Sequence, residues 1–317
     1  MSRILLTAIG SMAAAPAARR YQALGHTVFG CDIYPREWTA LAGELEFFQA
    51  RLATEGEPYV EQLREAVRRD MLDFLIPLTD PEVDALAPRK AEFRALGCTV
   101  CVPEERVAAL CRRKDKMNRF LAEKQVCRLI PTESAVSGQP CPFPFPAMVK
   151  PRSGRSSLGQ AVAEDEKGYQ TALAGREDCI VQPFLEGDIF CVDVARDAFG
   201  HTRAAARQEL LRNKSGLGMT VEVLPDHPLE AVCAAIAEAV GLVGVVNMEF
   251  IRHGDDFFFL EVNPRFSGGV GFSMAAGMDF AEMMLCCHSC GSVEAFPAAP
   301  KHALLAREST IVLTQLR

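Results

Sequence analysis

The sequence predicts an α/β protein of more than one domain, and three observations carry that expectation. Short apolar runs alternate with helical patterns over the first hundred residues. A block of strands separated by glycine-bearing turns follows over 188–223. The 317 residues are enough for two or three domains with sizeable cores. Hydrophobic residues at 49% and charged residues at 24% are ordinary for a globular protein. The formal net charge of −7 argues against a general nucleic-acid binder or a protein that docks on anionic membranes. It leaves room for a local basic pocket.

The elements can be justified in order. "ILLTAI" (4–9), "TVFGCD" (27–32), "LDFLIPL" (72–78) and "CTVCV" (98–102) read as strands, with helices near 12–24, 58–69 and 82–96 between them. That alternation implies a parallel sheet covered by helices. It ends at Pro103, and a charged helical stretch follows over 112–126. A proline-rich connector, "GQPCPFPFP" (138–146), leads to a strand, a small polar turn and a second strand over 147–163. Next come a helix over 165–174, a strand over 179–184, and the antiparallel segments "DIFCVDVAR", "HTRAAARQEL" and "MTVEVL". A helix at 228–241 precedes strands 245–252 and 256–263, which are joined by a tight turn over His253-Gly254-Asp255. A helix at 279–289 and an apolar strand near 309–314 close the chain.

The first eighteen residues imitate a secretory signal, with a basic start, an apolar stretch and small residues. A first strand, a Gly10-Ser11 turn and a helix explain them equally, and the strand pattern at 27–32 favours this reading. No apolar run approaches the roughly 20 residues that span a bilayer, so a cytoplasmic protein is expected. Twelve irregularly spaced cysteines do not make a disulfide scaffold. The cluster Cys286, Cys287, His288 and Cys290 lacks the second half-site that zinc would need, and reduced cysteines beside an apolar helix explain it better.

The chemistry concentrates in "FFFLEVNPRFSGG" (257–269), where Glu261, Asn263 and Arg265 alternate and should share one face of an extended chain. An antiparallel hairpin brings Glu249 near Glu261. Two carboxylates among apolar neighbours repel and are poorly solvated, and a divalent cation is the economical compensation, with Asn263 as a further oxygen. The bland alternative puts both glutamates on a solvated edge. Upstream, "KPRSGRSSLG" (150–159) offers Lys150, two arginines, Ser153, Gly154, Ser156 and Ser157, whose backbone N–H groups could cradle phosphates. It is not a P-loop, since GxxxxGK[ST] is absent.

In this order the pieces resemble the ATP-grasp superfamily of carboxylate ligases, most specifically its carbamoyl-phosphate-synthetase-like and amino-acid-ligase members. The resemblance implies a Rossmann-like domain over 1–110 and an ATP-grasp fold of two α+β subdomains over 111–317, with a small lid at about 126–185 and a C-terminal subdomain at about 186–317. It implies Lys116 and Lys150 as nucleotide lysines, with Ser153, Gly154, Ser156 and Ser157 on the phosphates. "VQPFLEGD" would supply Gln182, Pro183, Phe184 and Leu185 to the adenine and Asp188 to the ribose. Glu249, Glu261 and Asn263 would hold Mg²⁺ or Mn²⁺, and Arg265 the incoming carboxylate. Arg207 and Lys214 would lie beside the γ-phosphate, or else be plain surface charges.

The N-terminal motif "TAIGSMAAAPA" with Asp32 could imitate a dinucleotide site, but GxGxxG is missing. "PLTDPE" (77–82), with Thr79 and Asp80, is the better substrate candidate, because ligands favour that edge of open sheets. Gly268 and Gly269 join it as candidates beyond the strand. The implied reaction is ATP-dependent activation of a carboxylate as an acyl phosphate for attack by an amine, releasing ADP. Small-molecule carboxylate and amine substrates are expected, with no nucleic-acid or membrane partner. A homodimer is common in the family. A bicarbonate-activating enzyme and a non-catalytic nucleotide-binding regulatory module are the alternatives.

Overall fold

The computed structural model describes residues 1–154 and 158–315. Its N-terminal part is a five-stranded, wholly parallel sheet in the order β3-β2-β1-β4-β5. The strands are β1 (Arg3–Leu6), β2 (Thr27–Asp32), β3 (Glu46–Gln49), β4 (Phe74–Ile76) and β5 (Thr99–Val100). Four helices alternate with them: α1 (Ala14–Ala23), α2 (Glu57–Asp70), α3 (Asp80–Leu86) and α4 (Lys90–Ala95). The expected helix over 82–96 is two helices, broken by a 3-10 turn at Ala87–Arg89 where Pro88 sits. β3 was not foreseen, because "EFFQ" is too short to show a period. The chain runs outward from β1 in both directions, so the carboxyl ends of β1 and β4 flank a switch point.

The charged stretch expected over 112–126 is the single helix α6 (Lys114–Lys124), and a helix not foreseen, α5 (Glu105–Arg112), precedes it across extended backbone at Arg113. Next come β6 (Arg128–Leu129), β7 (Glu133–Ala135), β8 (Ala147–Pro151) and β9 (Ala161–Ala163). They are followed by α7 (Glu166–Leu173) and β10 (Cys179–Pro183). The second sheet is β7-β10-β8-β9, antiparallel and packed under α7.

The largest sheet follows β16-β13-β12-β11-β14-β15-β6. Its long strands are β11 (Asp188–Arg196), β12 (Thr202–Arg212), β13 (Gly218–Leu224), β14 (Gly244–His253) and β15 (Asp256–Asn263). α8 (Pro228–Val240) covers one face with Leu229, Cys233, Ile236 and Val240. α9 (Val270–Ala275) and α10 (Phe280–His288) cover the other. The last strand is β16 (Ala303–Ala306), paired with β13. This corrects the strand expected near 309–314, where Ile311, Val312 and Leu313 are exposed and find no partner strand.

One core joins the first sheet to the last. Ile4, Leu6, Ala14 and Tyr21 pack with Val245, Phe266, Phe280 and Met284, and the Tyr21 hydroxyl donates to the Ala281 carbonyl at 2.9 Å. Burying these side chains at roughly 25 cal/mol per Å² fixes the N-terminal sheet against the hairpin end of the large sheet. That packing is what faces the switch point toward Glu249 and Glu261. No described helix is long and apolar enough to cross a membrane.

Candidate functional site

The hairpin β14–β15 turns at Gly254-Asp255, with Gly254 in the left-handed region at φ 62°. Pairing runs from His253↔Asp256 to Phe250↔Phe259, then shifts, so that Glu249 faces Glu261 and Asn247 faces Asn263. Had the first register continued, Glu249 would face Leu260 and Glu261 would point to the other side of the sheet. The extra residue, Leu260, is a β-bulge that returns both carboxylates to one face. Alternation alone foresaw their proximity but not this device.

The pair is electrostatically asymmetric. Burial and the neighbouring Glu261 push Glu249 up to about 7. Burial works in the same direction on Glu261, but Lys114 and Lys150 outweigh it and hold its carboxyl below the ordinary range. Asn263 Nδ2 lies 3.3 Å from an oxygen of each glutamate. Two half-buried carboxylates, turned to one face and repelling each other, are hard oxygen donors that suit Mg²⁺ or Mn²⁺, while the Asn263 carboxamide presents its nitrogen to them and its oxygen to Arg265. The donor set therefore fits the cation that the sequence implied. Among the described residues, no cluster of three His, Cys, Asp or Glu side chains could hold a metal ion.

The lysines need one correction. Lys114, not Lys116, reaches the site: its Nζ is 2.9 Å from Glu261 Oε2 and donates to the Gly154 carbonyl at 3.3 Å. Lys116 is exposed. The reason is helical period, since two residues along α6 turn the side chain through about 200°. Asp115, the other half of that motif, is held at about 2: burial alone would raise it, but hydrogen bonds from Arg113 and Arg152 prevail. Lys150 lies on β8 and is buried, and desolvation lowers its ammonium to about 8 despite Glu261 nearby.

A slot of about 370 Å³ opens on the Lys150 side. Met148, Ile189, Ile251 and Leu260 give it apolar walls, and Gln182, Pro183, Phe184 and Leu185 form its rim. Gln182 is buried and donates to Thr132 Oγ1 at 2.6 Å. The Phe184 N–H is already spent on the Pro146 carbonyl. Asp188 does not line the slot. It opens β11, is exposed, and pairs with Arg252 across the ladder, while Glu186 and Gly187 line the slot instead. Gly187 is obligatory there, since a Cβ would sit 1.8 Å from the Arg252 carbonyl oxygen. Ser153 is exposed and Gly154 faces Lys114 and Lys150. Ser156 and Ser157 fall outside the described residues.

On the opposite side of the carboxylates lies a cavity of about 670 Å³, walled by Thr79, Asp80, Arg207, Arg265, Gly268 and Gly269 among others. The N-terminal sheet contributes the carboxyl ends of its strands to it, as the switch-point rule predicts. Thr79 caps α3 and receives Glu82 in return, with Thr79 Oγ1 donating to Glu82 Oε2 at 2.7 Å. Arg265 is not an open fork. Its Nε and Nη2 donate to the two oxygens of fully buried Asp80 at 3.0 and 3.2 Å, and Nη1 donates to the Phe266 carbonyl. Arg265, expected to hold an incoming carboxylate, thus stands on the cavity wall with its fork already engaged by Asp80.

Arg207 is no surface charge. It is 1% exposed and donates to Asp193 Oδ2 at 2.6 Å, to Ser273 Oγ and to Ser267 Oγ, tying the turn after β15 to the sheet. Gly269 leaves room for it, because a Cβ there would approach Arg207 Nη2 to 2.7 Å. Lys214 is exposed in the turn after β12 and lines neither hollow. Arg212 takes its place, with Nη2 3.8 Å from Glu249 Oε2. Register shifts between Glu209 and Arg212 turn Arg212 inward, which counting residues along the strand could not reveal. Glu209 and Arg212 are the residues that sequence reasoning missed.

Residues 175–310 match the family model described as ATP-grasp in the biosynthetic pathway with Ter operon. The chain is 27% identical over 275 residues to the formate-dependent phosphoribosylglycinamide formyltransferase of Synechococcus sp. (strain CC9605), covering 77% of this chain and 64% of that protein. It is 27% identical to the enzyme of that name from Pseudomonas savastanoi, covering 64% of this chain and 55% of that protein. The chain thus spans less than two thirds of these relatives. In fold it is similar to biotin carboxylase from Campylobacter jejuni (TM-score 0.76, 16% identity, 96% of this chain and 74% of that one). It is also similar to the L-amino acid ligase from Bacillus licheniformis (TM-score 0.69, 15% identity, 90% and 73%).

Proposed function

We propose that this chain is an ATP-grasp ligase that activates a carboxylate as an acyl phosphate and passes the acyl group to an amine, a reading that the family-model match and the similarity to the formyltransferases support. The observation that carries this reading is the shared wall. Glu249 and Glu261 border both the apolar slot on the Lys150 side and the large cavity on the Arg265 side. A nucleotide in the slot would therefore present its terminal phosphate where a molecule in the cavity can reach it.

In the first step a carboxylate oxygen bonds to the γ-phosphorus and the bond from that phosphorus to the ADP oxygen breaks. In the second the amine nitrogen bonds to the acyl carbon, phosphate leaves with the bonding pair, and the nitrogen releases a proton. Glu249, Glu261 and Asn263 would hold Mg²⁺ or Mn²⁺, which supplies charge neutralisation on the phosphate oxygens. Lys114 and Lys150 would neutralise the remaining phosphate oxygens from the opposite side. The buried ammonium of Lys150 exerts a stronger field there than a solvated one would. Asp80 holds Arg265 at the cavity wall, where the guanidinium would orient a carboxylate by sharing its edge. The cavity is roomy for a one-carbon acid alone, which favours a larger substrate over bicarbonate or formate.

The test is product analysis. The protein with ATP and Mg²⁺ is supplied with pooled amino acids, with formate or with bicarbonate. ADP and phosphate in equal amounts, dependent on both a carboxylate and an amine, is the expected result. AMP as the main product, or ADP release without either substrate, would overturn the reading.

A further inference from the structure

The cavity holds an acidic group that the chemistry above does not use. Glu209, on β12, is 3% exposed. Its Oε1 is 3.4 Å from Arg207 Nε, while Oε2 is buried and has no hydrogen-bond partner. Arg212 Nε is 3.8 Å from that oxygen, within ion-pair range but too far to donate. A buried carboxylate oxygen without a donor carries a desolvation penalty, so such an atom asks for a partner that the protein does not supply.

The neighbouring charges are already committed. Arg207 spends Nη1 and Nη2 on Asp193, Ser267 and Ser273, and its Nε, which makes no hydrogen bond, faces Glu209 Oε1 and not Oε2. Arg212 divides one positive charge between Glu209 and Glu249. Of the other acids on the cavity wall, Asp32 accepts from the Gly10 and Tyr34 N–H groups, Glu82 from Thr79, and Asp80 from Arg265. Glu209 Oε2 is the acceptor left over. The backbone is also shaped for it: a Cβ at Gly218 would fall 2.1 Å from that oxygen, so glycine alone admits the carboxylate in this position.

We infer that Glu209 receives the ammonium group of the amine substrate in the large cavity. This rests on the ligase reading and narrows it to amines that are cationic at neutral pH. A phosphate or carboxylate would be repelled by Glu209, and a neutral hydroxyl would satisfy the oxygen without adding a charge. An ammonium supplies both a donor and a charge, and one of its protons passes to the Glu209 carboxylate to free the nitrogen lone pair before attack on the acyl carbon.

The inference is tested in two arms. Calorimetry with amino-acid amides, which carry the ammonium without a carboxylate, compares the wild-type protein with Glu209→Gln. Binding weakened tenfold or more in the variant is expected; equal heats in both proteins, or none in either, overturn the inference. In the ligation assay the KM for the amine should rise at least tenfold in Glu209→Gln, with the KM values for ATP and Mg²⁺ moving less than twofold, and Glu209→Asp should recover part of the loss. A shift in the Mg²⁺ dependence instead would make Glu209 a metal ligand and overturn the assignment. Thermal midpoints check that both variants fold. If the wild-type protein releases no ADP with any carboxylate and amine, the ligase reading fails by itself, whatever the amide titration shows.

Discussion

The slot on the Lys150 side and the cavity on the Arg265 side share Glu249 and Glu261 yet are walled differently. The slot sets the apolar side chains of Met148, Ile189, Ile251 and Leu260 beside polar ones such as Lys150, Gln182 and Glu186. The cavity is ringed by charge, with Asp80 on Arg265, Asp193 on Arg207, and Arg212 between Glu209 and Glu249. An apolar slot takes a flat base through contact area and a few fixed polar groups, and many relatives can share it. A charged cavity discriminates through buried groups that only the right substrate satisfies, so its specificity is particular to one chain. On the proposed function, generic chemistry would lie with the slot and substrate choice with the cavity.

The strongest way to break this comparison is at the shared wall. Glu261→Gln keeps the shape, removes the charge opposite Glu249, and takes from Lys114 its carboxylate partner. ADP release should fall on the order of 10²–10³-fold, with the thermal midpoint of the free protein little changed. Full activity would remove Glu261 from the site altogether.

A second break separates the cavity from the slot. Asp80→Asn leaves Arg265 facing a neutral amide in a place where Asp80 is fully buried. Losing one member of such a pair should cost about 3 kcal/mol, read as an earlier denaturant midpoint at constant m-value. ATP binding, which the proposed function assigns to the other hollow, should move less than twofold.

The slot side is sharpened by a pair of lysines. Lys114→Met should weaken ATP roughly 10–100-fold in kcat/KM, because the buried ammonium beside Glu261 is lost. Lys116→Met, on the exposed face of the same helix, should stay within about twofold. The reverse order would restore the motif-based assignment of Lys116.

The smallest effect calibrates the others from outside both hollows. Burial raises the Glu230 carboxyl to about 7 from its ordinary 4.5. The folded state therefore holds a proton that the unfolded state has released, so this stability is complete below about pH 4.5 and is lost as pH rises through 7. Glu230→Gln should stabilise the protein at pH 8 by about 1 kcal/mol, a figure reduced for partial exposure, and flatten the decline between pH 5 and 8. Urea titrations at the two pH values measure it, and catalysis should not respond.

The sequence by itself determined most element types, the parallel-then-antiparallel division, and the hairpin residues to which the proposed chemistry is assigned. Alternation over 257–265 marked Glu261, Asn263 and Arg265, and the apolar setting of Glu249 marked its partner, because period and composition are local properties of the chain. Three further facts were decided only by tertiary structure. The Leu260 bulge put both carboxylates on one face, the start of α6 one residue after extended Arg113 chose Lys114 over Lys116, and the shifted register of β12 brought Arg212 and Glu209 inward in place of Lys214. Each is a matter of register, where one residue more or less reverses the direction of a side chain. No local pattern records it, because register is fixed by pairing with strands and helices distant in the sequence. Asp80 shows the same limit from another direction, since its partner Arg265 lies 185 residues along the chain and only the packing of the first sheet on the hairpin brings the two together.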